Sequence, residues 1–182
     1  MITRLATDAD ITGILDLQAI NLYANLTDNE RENGFVTTPF TTEQIQTLLH
    51  NERGVFVAEE NSEIVGYAFA GSWDFFSQWA IFPYMVSRFG LVQFHGASIT
   101  PASTFQYGPV CIAHDKRGSD VFPQLFGTMR TAMAERYPVG LTFINRKNTR
   151  SVKAHTTKLD LEIVDEFDFN GNQYYGLAFW TT

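Results

Sequence analysis

The chain has 182 residues, 45% hydrophobic, 18% charged and 14% aromatic, and its 13 Lys+Arg against 20 Asp+Glu give a formal net charge of −7 at pH 7. That size and apolar content predict one compact domain, residues 1–182, and exclude a disordered chain. The acidic balance argues against a nucleic-acid partner, because counterion release on a duplex needs a basic face. The opening MITRLATDAD shows no basic-then-apolar leader, so no secretory signal is expected. Ile2 to Leu5 read as a short strand. Asp8 and Asp10 then offer helix N-caps to a segment in which Ile11, Ile14, Leu15 and Leu22 recur at helical spacing. The polar stretch Thr27 to Thr38 reads as a loop. Thr41, followed by Glu43 and then by Ile45, Leu48 and Leu49, starts a second helix that ends near Gly54. Val55 to Glu59 and Ile64 to Ala70 flank the turn signal Asn61-Ser62 and predict a hairpin.

Residues 73–106 break this rhythm, with Trp73, Phe75, Phe76, Trp79, Phe82, Tyr84, Phe89, Phe94 and Phe105 crowded between strands. The longest apolar run lies here, around Trp79 to Val86, and it is far short of the ~18 residues of a membrane helix, so no membrane association is expected. A segment of this length is rarely structureless. An inserted helix with a covering segment is expected, serving as extra core, as an oligomer contact that would make a homodimer, or as a lid over a substrate pocket. Tyr107 to Ala113 is a further strand, and its Cys111 is the one cysteine, which permits no internal disulfide and fits a cytoplasmic chain. Phe122, Leu125, Phe126, Met129 and Met133 mark an amphipathic helix running to about Arg136. Leu141 to Ile144 is a strand and Thr149 to Lys158 a helix; Leu161 to Phe169 and Gln173 to Trp180 straddle an Asn170-Gly171 turn. This order predicts an α/β (α+β) fold with a mostly antiparallel sheet.

Several kinds of site are absent from the sequence. There is no Gly-rich loop ending in Lys-Ser/Thr, no GxGxxG and no G-x-S-x-G elbow, and the four histidines show no metal-ligand spacing with the cysteine. Cys111 and His114 stand three apart on a predicted strand and face opposite sides, so they form no nucleophile–base pair, and Cys111 reads as a small core residue. What remains is the strand–turn–helix unit GPVCIAHDKRGSDVFPQLFGTMR, Gly108 to Arg130. An apolar strand entering Lys116-Arg117-Gly118 and then a helix aims unpaired N–H groups and the positive helix end at one spot, which suits an anion. Lys116 and Arg117 add charge there, and Gly118 allows an open backbone angle.

This segment resembles motif A of the GCN5-related N-acetyltransferase superfamily, an (R/Q)-x-x-G-x-(G/A) turn that cradles the acyl-CoA pyrophosphate. Arg117 falls on its first position and Gly118 is the glycine that commonly follows. Downstream, INRKNTRSVKAHTTKLDLEIVDEF resembles the N-x-x-S-x-x-(A)-H-x-x-L-G-(F/L) segment of many members. The strand and helix order agrees over nearly the whole chain apart from the aromatic insert. The resemblance implies a mixed, mostly antiparallel sheet flanked by helices, with the insert between the third and fourth strands. It implies acetyl-CoA as co-substrate and acetyl transfer to a primary amine of a small acceptor. The cofactor-binding positions it implies are Ile112, Ala113, Arg117, Gly118, Ser119, Asp120, Val121, Phe122, Asn148 and Ser151.

For the chemistry, the resemblance implies a main-chain N–H within Cys111 to Ala113 that polarises the thioester carbonyl. His155 stands where many members carry a tyrosine that protonates the leaving sulfur, and spacing puts Asn148, Ser151 and His155 on one helix face. A packed His155 and an Asn148 that caps its helix are the competing readings. Glu59, Glu60 and Asp74 are candidates for the general base. The sequence departs from the family at Asp120, where the first motif glycine belongs, at Phe122, and at Asp160 after Leu159. Phe122 also suits the helix's apolar stripe, and Asp120 suits a side-chain helix cap. A carboxylate ~5 Å from a diphosphate charge would repel it by roughly 3 kcal/mol at an effective dielectric of ~20. A degenerate relative that binds CoA or a partner is therefore the alternative to an enzyme. A transferase acting on a protein N-terminus or lysine would need an open groove in place of a lidded pocket.

Overall fold

The computed structural model describes residues 1–32 and 34–182. Its strands are β1 (Ile2–Leu5), β2 (Val55–Glu60), β3 (Glu63–Gly71), β4 (Thr104–Ile112), β5 (Val139–Asn145), β6 (Glu162–Phe169) and β7 (Asn172–Trp180). Its helices are α1 (Ile11–Asn21), α2 (Asp28–Arg31), α3 (Thr42–Glu52), α4 (Trp73–Phe76), α5 (Ile81–Ser87), α6 (Val121–Ala134) and α7 (Thr149–Lys158). The strands form one seven-stranded sheet in the order β1-β2-β3-β4-β5-β7-β6. β4 and β5 run parallel, while the β1–β2, β2–β3, β5–β7 and β6–β7 ladders are antiparallel. The mixed, mostly antiparallel architecture expected from the sequence is therefore present. The chain divides into two compact units, 1–70 with 108–129 and 71–107 with 130–182.

In the first unit local chemistry sets most element ends. Asn61 and Ser62 both take positive φ (53° and 66°), the two-residue turn whose twist suits a hairpin, and β2 and β3 pair around it. Thr41 caps α3 through a reciprocal pair with Gln44: Thr41 Oγ1 accepts from the Gln44 N–H at 3.2 Å, and Gln44 Oε1 from the Thr41 N–H at 2.9 Å. Asp10 precedes α1, but its carboxylate turns back to accept from the Thr7 N–H at 2.7 Å and from Arg4 at 2.7 and 2.9 Å, so it does not cap that helix. The buried face of α1 is Ile11, Ile14, Leu17, Gln18 and Asn21. The expected Leu15 is only half-buried, and Leu22 lies beyond the helix. Gln18 joins the core because its amide exchanges two hydrogen bonds with the Phe40 main chain, at 3.0 and 2.9 Å. The expected loop from Thr27 to Thr38 contains the single turn α2, capped by Thr27 and Glu30, and its Asn33 lies outside the described residues.

In the second unit the aromatic insert builds core. Trp73, Phe76, Phe82, Phe89 and Phe94 are buried. Phe82 packs on Phe76 at 4.8 Å between ring centroids and on Phe143 of β5 at 5.5 Å. Trp73 Nε1 donates to Thr104 Oγ1 at 3.0 Å. Arg88 forks onto Asp165 of β6 at 2.7 and 2.6 Å. The insert holds two short helices, α4 and α5, instead of one, and it ends where β4 begins at Thr104 rather than at residue 106. No helix among the described residues is long and apolar enough to cross a membrane.

Candidate functional site

The strand–turn–helix unit predicted from sequence belongs to the first unit. β4 ends at Ile112, a 3₁₀ turn spans His114–Lys116, and α6 starts at Val121. Between them Lys116 to Ser119 form a type II β-turn. Arg117 has φ −68° and ψ 139°, Gly118 has φ 87°, and the Ser119 N–H donates to the Lys116 carbonyl at 3.3 Å. The third residue of such a turn needs positive φ, so glycine is there for its backbone. A Cβ built on Gly118 would meet no atom within 4 Å, so the turn is open at that position. The Asp120 carbonyl accepts the first helical bond, from Gln124 at 3.0 Å, which puts Asp120 at the N-cap position. The side-chain bond at this helix start comes from Ser119, whose Oγ accepts from the Val121 N–H at 3.3 Å, in place of the Asp120 cap expected. Val121 is buried and Phe122 half-buried, so the apolar stripe of α6 runs through Val121, Leu125, Phe126 and Met129.

Two expectations for this turn are corrected. Its amides are not generally unpaired: those of Lys116, Arg117, Ser119 and Val121 all have acceptors within the segment, at 2.9, 3.3, 3.3 and 3.3 Å. The bonds at 3.3 Å lie beyond the usual N–H···O range and are correspondingly weak. Nor do the two basic side chains point their charge at open space. Lys116 pairs with Glu60, which holds the Glu60 carboxyl below its ordinary range, and Lys116 Nζ lies 4.0 Å from Asp115. Arg117 donates through Nε to the Ile112 carbonyl at 3.0 Å and through a terminal nitrogen to Asn21 Oδ1 at 2.5 Å. Asn21 is thus a part of this site that the sequence did not reveal, and Glu60, a candidate base from sequence, is instead the ion-pair partner of Lys116. Their separations from Arg117 and Lys116, 96 and 56 residues, left no local signal. Of the proposed bases, Glu59 and Glu60 are engaged by Arg4 and Lys116, and Asp74 is exposed in the first turn of α4.

Main-chain direction separates the three candidate amides. The Ala113 N–H donates to Val65 of β3 at 2.9 Å. Successive residues of an antiparallel strand point their main-chain groups to opposite sides. This alternation puts Cys111 on the side of Ala113 and predicts that Ile112 turns its N–H away from β3, as its carbonyl does in accepting from Arg117. The Cys111 thiol is buried, and burial pushes it up to about 12. In the native chain Cys111 is expected to resist iodoacetamide at pH 8 and to react at the rate of unfolding; rapid labelling of native protein, read by mass spectrometry, would contradict this packing.

Asn148, Ser151 and His155 belong to the second unit and share one face of α7, as their spacing predicts. Asn148 caps the helix, its Oδ1 accepting from the Ser151 N–H at 3.2 Å. His155 is 3% exposed, and its Nδ1 lies 2.8 Å from the Ser151 carbonyl, an acceptor that fixes the proton on that nitrogen. Its ring packs 5.7 Å from that of Tyr107. Burial pushes its pKa down to about 4, so near neutral pH it is uncharged and already donating to its own helix. A neutral imidazole in that state is a poor acid for a leaving thiolate, and the proton-donor role expected of His155 does not fit. Among the described residues no group of His, Cys, Asp and Glu side chains is placed to hold a metal ion.

No protein-family model matches the sequence, and no curated protein matches it. Solved structures do. A ribosomal-protein-alanine N-acetyltransferase from Brucella melitensis is similar at a TM-score of 0.64 and 17% identity, covering 99% of both chains. A putative acetyltransferase from Salmonella typhimurium, solved with its cofactor acetyl-CoA, is similar at 0.66 and 15%, covering 100% of this chain and 94% of that one. An N-acetyltransferase from Staphylococcus aureus Mu50 is similar at 0.62 and 18%, covering 100% and 98%. Identities this low speak for architecture alone, and the chain has the fold of the GCN5-related N-acetyltransferases.

Proposed function

We propose that the two units make one acyltransferase domain that transfers an acetyl group from acetyl-CoA to a primary amine of a small acceptor. The observation that carries this reading is the open type II turn at Gly118, leading into the 14-residue α6 in a chain with this fold. The positive end of that helix favours an anion beside the turn. The long bonds made by the Arg117, Ser119 and Val121 amides are those a diphosphate would displace at least cost. Ser119 to Phe122 would border the diphosphate. Acetyl-CoA supplies an activated thioester. The Ile112 N–H, aimed away from β3, would polarise its carbonyl oxygen as negative charge develops there.

The neutral amine nitrogen attacks the acetyl carbon; the C–N bond forms, the C–S bond breaks, and the nitrogen gives up one proton to water. A thiolate whose acid has a reference pKa of ~8.5 can leave and then take a proton from solvent near neutral pH, so no buried acid is required. Thiol release from acetyl-CoA, followed over a panel of polyamines, amino acids, aminoglycosides and peptides, tests this function. Amine-dependent release with acetylated product supports it. Tight binding of CoA with no amine-dependent release from any of them would favour a catalytically degenerate relative, the reading to which Asp120 and the Lys116–Glu60 pair lend weight. Small amines among the substrates, with peptides inert, would support the small acceptor.

The Asp120 carboxylate is exposed, so its repulsion of a diphosphate is screened to well below the buried limit. Asp120→Gly is expected to tighten acetyl-CoA binding by about tenfold, ~1.4 kcal/mol, in isothermal titration. An unchanged affinity would mean that the carboxylate points away from the bound phosphates.

A further inference from the structure

Arg117 occupies the first position of the phosphate-turn motif, yet its side chain reaches back into the fold. Its Nε–H donates to the carbonyl of Ile112, the last residue of β4, at 3.0 Å. A terminal nitrogen donates to Oδ1 of Asn21, the last residue of α1, at 2.5 Å. Asn21 is itself fixed: it is buried, and its Nδ2 donates to the Leu17 carbonyl at 2.8 Å. A guanidinium is a rigid planar fork, so acceptors on two separate elements fix its plane as well as its position. The peptide between Ile112 and Ala113 is then gripped at both ends, by Arg117 on its carbonyl and by the Val65 carbonyl on its N–H.

We propose that Arg117 is a positioning residue, which braces Ile112 against α1 so that the Ile112 N–H is held ready for the thioester carbonyl, instead of contacting the diphosphate with its side chain. This rests on the acetyl-transfer reading above. The advantage of a fixed donor is that no reorientation is needed as charge develops on the oxygen. Lysine cannot take over, because a single ammonium has no fork with which to span Asn21 and Ile112.

The test uses the full chain with Arg117→Met and Arg117→Lys, and two thioesters that share the reacting group. Acetyl-CoA carries the diphosphate and S-acetylpantetheine lacks it. With water as acyl acceptor and thiol release as the signal, the brace predicts that kcat/KM for S-acetylpantetheine falls at least about tenfold in both variants. CoA affinity in isothermal titration stays within about twofold of the parent. The reverse pattern, with S-acetylpantetheine turnover kept and CoA affinity lost in Arg117→Met but restored in Arg117→Lys, would make Arg117 a diphosphate ligand and overturn the proposal. A readout without any ligand separates this from failure of the acetyl-transfer reading. Hydrogen exchange of the Ala113 amide, followed by NMR, is expected to quicken at least about tenfold in Arg117→Met. Unchanged exchange removes the brace whatever the chain catalyses, whereas faster exchange in a chain that binds no CoA keeps the brace and removes the catalysis assigned to it.

Discussion

Gly118→Val is expected to weaken acetyl-CoA binding at least about thirtyfold, while Gly118→Asn retains most of it. The reason is backbone geometry. Gly118 sits at φ 87° with nothing within 4 Å of where its Cβ would be, so an added Cβ meets no clash. It meets the left-handed region instead, which costs an L-residue roughly 1–2 kcal/mol, more for a β-branched one and less for asparagine. A valine there favours a turn flipped about the Arg117–Gly118 peptide, and the flipped turn presents a carbonyl where an N–H belongs. The affinities should therefore rank Gly, Asn, Ala, Val. If free space for the ligand were the only requirement, alanine would outperform the bulkier asparagine. Titration of the four proteins with acetyl-CoA decides between these orders.

Acidification from pH 6.5 to 4 should remove about 3 kcal/mol of stability through His155 alone. Its folded pKa, about 4, lies below the 6.5 of the ring in an unfolded chain. The native state keeps the ring neutral while the unfolded state takes up a proton, so the stabilisation is complete above pH 6.5, declines as pH falls below it, and is gone near pH 4. The cause is desolvation of a fully buried ring, opposed only by the bond to the Ser151 carbonyl. Asp10 acts in a separate window, because Arg4 holds its carboxyl near 2 and its stabilisation is lost only as pH falls from 3.8 towards that value. Urea unfolding of the parent and of His155→Leu between pH 7.5 and 4.5 isolates the effect. The parent should lose stability towards acid with a slope near 1.4 kcal/mol per pH unit that the variant lacks. Parallel curves would mean that the imidazole is reached by solvent.

The elements legible in the sequence were those written in local chemistry. Asn61-Ser62 and Asn170-Gly171 carry the positive φ of tight hairpins, and Thr41 caps its helix, because a turn or cap is decided within a few residues. The buried face of α1 was misread because apolar periodicity cannot find Gln18 and Asn21, which are buried for the partners they reach. The insert resisted for another reason: helices of four and seven residues are too short to show a period. At the site, the position of the turn was readable and the direction of its side chains was not. A motif places Arg117 and Lys116 in sequence, but only the folded chain brings Asn21 and Glu60 to them. His155 likewise falls where the family resemblance implies a catalytic group, and its burial is set by neighbours such as Tyr107 that no spacing reveals.

Isothermal titration of the full chain with acetyl-CoA, repeated on Gly118→Val, bears most directly on the claim that the turn after β4 holds an acyl-CoA diphosphate. Saturable one-to-one binding by the parent, lost or sharply weakened in the variant, is the predicted result. No heat from the parent at millimolar ligand, or binding that the variant leaves untouched, would contradict it.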